Sequence, residues 1–220
     1  MNSLIRKKAP NLKVREWVQG VPTNIDRERG KVILVEVFQV NCPGCFLYGI
    51  PEAINIYNRT EKSEVKVLGV ATAFEDYDKN TLDNLKLLLT KNELIGETLH
   101  ALRMYGRTEN GNKLPYRIPY PVAMDTLRKR TGDVLESQVL DFIEENVGGY
   151  NSYSSQDKIA LFERAKQYLA SKEFTALTFD EYKLKGTPST ILIDRNGLVR
   201  DIAFGTDGGL ESKVNLLLSE

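Results

Sequence analysis

One stretch constrains this chain more than any other: an apolar, β-branched run that breaks at Cys-Pro-Gly-Cys and resumes with a helical apolar period. Residues 31–57 read KVILVEVFQVNCPGCFLYGIPEAINIY. Val32 to Val40 has the composition of a strand buried on both faces. After the cysteines, Ile50, Ala53, Ile54 and Tyr57 recur every three or four residues, as one face of a helix does. Cys42 then falls at a helix start, where unsatisfied N–H groups and the positive end of the helix dipole favour a thiolate. Pro43 suits the first helical turn, where a missing N–H costs nothing. Cys45 lies about one turn on, within reach of a mixed disulfide formed on Cys42. This arrangement suits thiol–disulfide exchange, with Cys42 as nucleophile, Cys45 as resolving thiol and Pro43-Gly44 shaping the link. Two plainer readings stay open. Half of a zinc site would need further ligands, and His100 is the sole histidine. A structural disulfide across two residues would close too short a loop to stabilise much.

The rest of the composition narrows the setting. A chain of 220 residues can bury one substantial core, or form one domain with a large insertion. Thirty basic and thirty acidic residues balance, so no excess charge calls for nucleic acid or an anionic membrane. The N-terminal MNSLIRKKAPNLKV has basic residues without the apolar core of a signal peptide behind them. No uninterrupted apolar run approaches the roughly 18 residues that a membrane span needs. The expected location is the cytoplasm, where a cysteine pair is more often catalytic than structural.

In chain order, residues 1–30 read as a turn-punctuated leading segment, with Leu12, Val14 and Trp17 as scattered apolar contacts. Val65 to Phe74 is a second buried strand, parallel to the first through the intervening helix. The acidic loop Glu75-Asp76-Tyr77-Asp78 reads as solvated charge, and Thr81 is the expected N-cap of a Leu82, Leu85, Leu88, Leu89 helix. A short helix around Leu94–Met104 and a short strand in YPVAMD, Tyr120 to Asp125, follow. From about 126 to 181 the pattern is that of a helical insertion. One helix uses Val139, Leu140 and Ile143, and another starts at a Ser154–Asp157 cap. Thr187 to Gly205 reads as strand, Asn196-Gly197 hairpin turn with positive φ, and strand, before a closing helix with Leu210, Val214 and Leu217 inward.

Three of these pieces, in this order, resemble the thioredoxin-like superfamily: strand–CPGC–helix, Gly186-Thr187-Pro188-Ser189-Thr190 opening a strand, and the closing hairpin and helix. The strings FQVNCPGC, GIPEA, FED, YPVAMD, LKGTPSTILIDRNG and AFG are similar to redoxins related to cytochrome-maturation thioredoxins and to the alkyl hydroperoxide reductase and thiol-specific antioxidant group. The resemblance implies an α/β fold with a central mixed sheet flanked by helices. One domain would span 1–220, with the helical insertion at about 126–181 placed before the cis-proline strand. It further implies a thiol–disulfide oxidoreductase or antioxidant activity without cofactor or metal. The partners would be a protein or small-molecule disulfide and an external dithiol reductant, with no nucleic acid or membrane partner; oligomeric state is left open.

By the same resemblance, Pro188 matches a cis-proline that faces the cysteines, and the Thr187 backbone would pair with an extended substrate segment. Glu36, six residues before Cys42, matches a buried acid beneath the disulfide. On a strand it shares its orientation with Leu34 and Phe38. Burial would raise its pKa and fit it to exchange a proton with Cys45. The other reading puts Glu36 at a wet edge or beside a basic residue. Three departures stand out. Asn41 replaces the usual tryptophan and would offer partners a more polar surface, the Pro-Gly order is reversed, and Pro51 comes one residue late.

Two other functions fit the resemblance. A peroxiredoxin-like peroxidase wants Pro and Thr seven and three residues before its cysteine. Here those positions are Val35 and Gln39 for Cys42, and Phe38 and Cys42 for Cys45. A redox-sensing interaction module would instead use the insertion to bind a partner.

Overall fold

The computed structural model describes residues 2–206 and 208–220. The first elements are β1 (Val14–Gln19), β2 (Val32–Phe38), α1 (Ile50–Arg59), β3 (Val65–Ala71), α2 (Leu82–Lys91), α3 (Gly96–Met104) and β4 (Val122–Asp125). Then come β5 (Leu127–Lys129), α4 (Glu136–Asn146), α5 (Ser155–Ser171), β6 (Phe174–Ala176), α6 (Leu177–Glu181), β7 (Ser189–Ile193), β8 (Val199–Phe204) and α7 (Leu210–Leu218). They divide into two compact units, one of residues up to 127 and from 176 onward, the other of residues 128–175.

The larger unit is built on a six-stranded sheet in the order β1-β4-β3-β2-β7-β8. β2 occupies the middle, parallel to β3 and antiparallel to β7. Every residue of β2 is buried. Its six apolar side chains each contribute about 1.5–3 kcal/mol by leaving water. Alternation divides them. Leu34 and Phe38 join Phe46, Ile50, Ala53 and Ile56 from the helical side in one core. Ile33, Val35 and Val37 pack with Phe179, Tyr182 and Ile191 in another. Glu36 falls on the first face, between Leu34 and Phe38. The mixed sheet flanked by helices that the sequence implies is present.

Three local features differ from the sequence reading. The leading segment contains a strand: β1 pairs antiparallel with β4, and shifts at Val14/Glu16 and Trp17/Gln19 break the alternation that would have betrayed it. The Asn196-Gly197 turn is not a two-residue turn with both φ positive. Gly197 alone has φ of +79°, and the Gly197 N–H donates to Asp194 O at 2.9 Å. The Asp194 Oδ1 accepts from the N–H groups of both Asn196 and Leu198 at 2.9 Å, which holds a longer loop that ends in a left-handed glycine. Residues 148–153, whose glycines and polar residues read as a flexible loop between the insertion helices, contain one 3-10 turn at residues 150–152.

The smaller unit is a helical pair. Val139 and Ile143 of α4 pack against Ala165 of α5, with Phe142, Leu161, Phe162 and Leu169 around them. The Ser154 hydroxyl caps α5 by accepting the Asp157 N–H at 3.2 Å. β5 and β6 pair with each other. Among the described residues no helix is long and apolar enough to cross a membrane.

Candidate active site at the Cys42–Cys45 pair

β2 delivers the chain through Gln39-Val40-Asn41 to a helix whose first residues are Pro43 and Gly44. Cys42 and Cys45 are joined in a disulfide, with Cα atoms 5.4 Å apart. The Cys45 N–H donates to Cys42 Sγ at 3.2 Å, as an N-terminal helix amide does to an anion. The sulfurs are unequal in access: Cys42 is half-buried, whereas Cys45 is fully buried in the core beside Phe46 and Ile50.

The helix does not run straight into α1. Cys45–Gly49 form a wide turn of π type, closed by the Ile50 N–H on Cys45 O. Such a turn holds one residue more than a regular one. That accounts for Pro51 arriving one residue late. Its missing N–H and its ring, which would clash in a regular helix interior, meet the wider turn instead. Gly49 ends that turn, and its lack of a side chain is used. A Cβ there would lie 2.4 Å from Glu36 Oε1 and 2.6 Å from Pro188 Cβ. The carboxyl of Glu36 and the ring of Pro188 therefore converge under the helix, one wide turn on from Cys45.

Glu36 has no exposed surface, and neither carboxyl oxygen has a hydrogen-bond partner among the described residues. Burial, with the Glu52 charge adding to it, pushes its pKa well above the usual carboxylate value. The wet-edge reading is thereby set aside. Tyr116 and Tyr120 lie within its field, and burial raises both phenols. Tyr116 is committed elsewhere: its hydroxyl donates to Phe46 O at 2.5 Å and pins the wide turn. The Tyr120 hydroxyl is buried and has no hydrogen-bond partner among the described residues.

On the other side of the sulfurs, the Thr187–Pro188 peptide is cis. Thr187 O is 3.6 Å from Cys42 Sγ, and Pro188 Cδ would lie 3.8 Å from a Cβ on Gly44. Thr187 is half-buried and Pro188 buried. The loop is braced from behind by Ser189 Oγ donating to Gly186 O at 2.7 Å and the Gly205 N–H donating to Pro188 O at 2.8 Å.

Asn41 is not a polar surface offered to partners; it is only 8% exposed and its polar groups are engaged. Its N–H donates to Asn80 Oδ1 at 2.8 Å and its Nδ2 to Asp76 Oδ2 at 2.8 Å. Its Oδ1 accepts the Glu97 N–H at 2.7 Å, capping α3, whose own N-cap residue Ile95 makes no side-chain cap. Gly96, at φ +54°, leaves room for it, since a Cβ would meet Asn41 Oδ1 at 2.2 Å. Asp76 is thus a partner in this network and not simply a solvated charge.

No family model and no curated protein matches the sequence. Among solved structures, a thiol-disulfide isomerase from Corynebacterium glutamicum superposes with a TM-score of 0.61 at 28% identity, over 98% of this chain and 97% of that one. The chain has the thioredoxin-like fold. A thioredoxin-like superfamily protein gives a TM-score of 0.58 at 25% identity, over 97% of both chains. A protein from Chlorobium tepidum described as a DsbE thiol:disulfide interchange protein gives 0.53 at 16% identity over 97% of both, a likeness of fold alone.

Within this thioredoxin-like frame, the structure brings Cys42, Cys45, Pro43, Gly44, Glu36, Thr187 and Pro188 to one place at the C-terminal end of β2. Sequence reasoning missed Gly49, Tyr116 and Tyr120. A glycine inside a helical pattern is a signal that something approaches closely, and it marks Gly49. The two tyrosines carry no such mark, because what they meet, Phe46 O for Tyr116 and the open space at Gly69 for Tyr120, is distant in sequence.

Proposed function

We propose that this thioredoxin-like protein is a thiol–disulfide oxidoreductase in which Cys42 attacks and Cys45 resolves. In the dithiol form the Cys42 thiolate, supported by the Cys45 N–H, attacks a substrate disulfide R–S–S–R′. A Cys42–S–S–R bond forms and R′–S⁻ leaves, taking a proton from solvent. The Cys45 thiol passes its proton to the Glu36 carboxylate and attacks Cys42 Sγ. The Cys42–Cys45 bond forms and R–S⁻ leaves. The substrate is reduced by two electrons, the protein is oxidised by two, and an external dithiol returns it to the starting state.

The observation that carries this reading is the asymmetry of the pair: a half-buried sulfur against the Thr187 carbonyl, bonded to a fully buried one. The half-buried Thr187 backbone beside Cys42 Sγ suits an extended substrate segment, so disulfides carried on polypeptides are favoured. We read the unit of residues 128–175 as an insertion into a single thioredoxin-like domain, and cysteine usage favours the cytoplasm. Insulin reduction driven by dithiothreitol tests the proposal. Cys42→Ser is expected to fall to the uncatalysed rate, and Cys45→Ser to accumulate a mixed disulfide on Cys42, visible by intact mass. Full activity in Cys42→Ser would overturn the assignment.

A further inference from the structure

Among the described residues, buried side-chain polar atoms without a hydrogen bond are confined to Glu36, Gln39 and Tyr120. Glu36 and Tyr120 share one face of the sheet, in the core formed with Leu34, Phe38 and the start of the helix. They are brought together by a missing side chain. Glu36 is paired in register with Gly69 on β3, and the Tyr120 ring fills the space a Cβ on Gly69 would take, with Cε2 3.1 Å from that point. One group is a donor and the other an acceptor. A phenylalanine at 120 would fill the same volume without burying a hydroxyl, at a cost this chain does not avoid.

We propose that Tyr120 is a positioning residue for Glu36. Its hydroxyl, directly or through one bridging water, donates to the carboxylate once Glu36 has lost its proton, and so sets the pH at which Cys45 can be deprotonated. The inference rests on the oxidoreductase reading for its consequence, though not for its geometry. Among the described residues, the ionisable groups in the field of Glu36 are Glu52 from α1 and Tyr116 and Tyr120 from the segment before β4; Gly69 and Thr190, its strand partners, carry none. Glu52 opposes ionisation of Glu36, and Tyr116 is spent on Phe46 O, which leaves Tyr120 as the group able to favour the charged form.

The test uses the whole reduced protein with ¹³C-labelled glutamate. The Glu36 Cδ resonance, assigned by its loss in Glu36→Gln, is titrated in wild type and in Tyr120→Phe. The midpoint is expected at higher pH in Tyr120→Phe, with Tyr57→Phe, which removes a hydroxyl from a ring that packs on Tyr120, leaving it unmoved. Coincident midpoints in wild type and Tyr120→Phe would overturn the proposal. Reaction with 5,5′-dithiobis(2-nitrobenzoate) then reads the consequence. Cys42 releases the first thionitrobenzoate, and attack by Cys45 on the mixed disulfide releases the second. Tyr120→Phe is expected to slow the second release about tenfold at neutral pH without changing the first. The double variant with Glu36→Gln is expected to be no slower than Glu36→Gln alone. A further tenfold loss in the double variant would show that Tyr120 acts independently of Glu36 and sink the idea. Failure of wild type to release the second equivalent would instead count against the resolving role of Cys45, while the titration still decides the link between Tyr120 and Glu36.

Discussion

Among the described residues two acids are buried without exposed surface, and their surroundings are opposite. Asp125, at the end of β4, accepts the Thr178 N–H at 2.8 Å, the Phe179 N–H at 3.2 Å and the Thr72 hydroxyl at 2.9 Å. It ties the strand that ends before residues 128–175 to the helix that follows them. Among the described residues, neither Glu36 oxygen has a hydrogen-bond partner in the structure. Burial raises both carboxyls, but the donors around Asp125 pull back against that rise. A buried carboxyl surrounded by amides is a fastening. One left without partners in a core, beside a redox pair and a glycine cleared for it, has no such structural use and suits proton transfer.

Asp125→Ala strands three buried donors, so it is expected to lower unfolding free energy by about 3 kcal/mol. Disulfide reduction per folded molecule should change little. Chemical denaturation alongside the insulin assay checks both, and an unperturbed stability would remove the fastening role. Glu36→Gln should do the reverse, slowing turnover near neutral pH by about 10²-fold with the fold intact. Equal activity in wild type and Glu36→Gln would leave the orphaned acid without a use.

Gly49→Ala sharpens the same contrast, because its methyl would press on backbone-held Pro188 as well as on Glu36 Oε1. A loss of about 1–3 kcal/mol is expected, with slower turnover, measured by thermal melts and the same assay. The smallest effect is one of pH. The native state keeps the Glu36 proton in a range where the unfolded chain has already given it up, so rising pH through that range favours unfolding. Wild type should therefore lose stability between the ordinary carboxylate range and the raised native value. Glu36→Gln should show less of that loss and be the more stable protein at neutral pH. Parallel pH–stability curves for the two proteins would contradict the burial account.

What the sequence disclosed and what it hid follow from the range of the interactions. The run Val32–Val40, the helix period after Cys45, the Thr81 and Ser154 caps and the alternation that turns Glu36 inward are local, so they are legible in the residues. β1 was concealed by two register shifts. The burial of Asn41 depends on Asp76, Asn80 and Glu97, 35 to 56 residues away, and no local rule supplies them. The same distance hid the Tyr120 hydroxyl, whose meaning comes from a glycine on another strand.

The wide turn at Cys45–Gly49 makes the spacing between the sulfurs and the rest of the helix a fixed count. Each residue advances a regular helix by about 100°. Shortening this turn by one position would rotate everything downstream by that angle relative to the cysteines. Gly49 would leave the gap above Glu36, and the side chain arriving in its place would collide with Pro188. Length variation that a surface loop would absorb is therefore expected to be intolerable in these five residues.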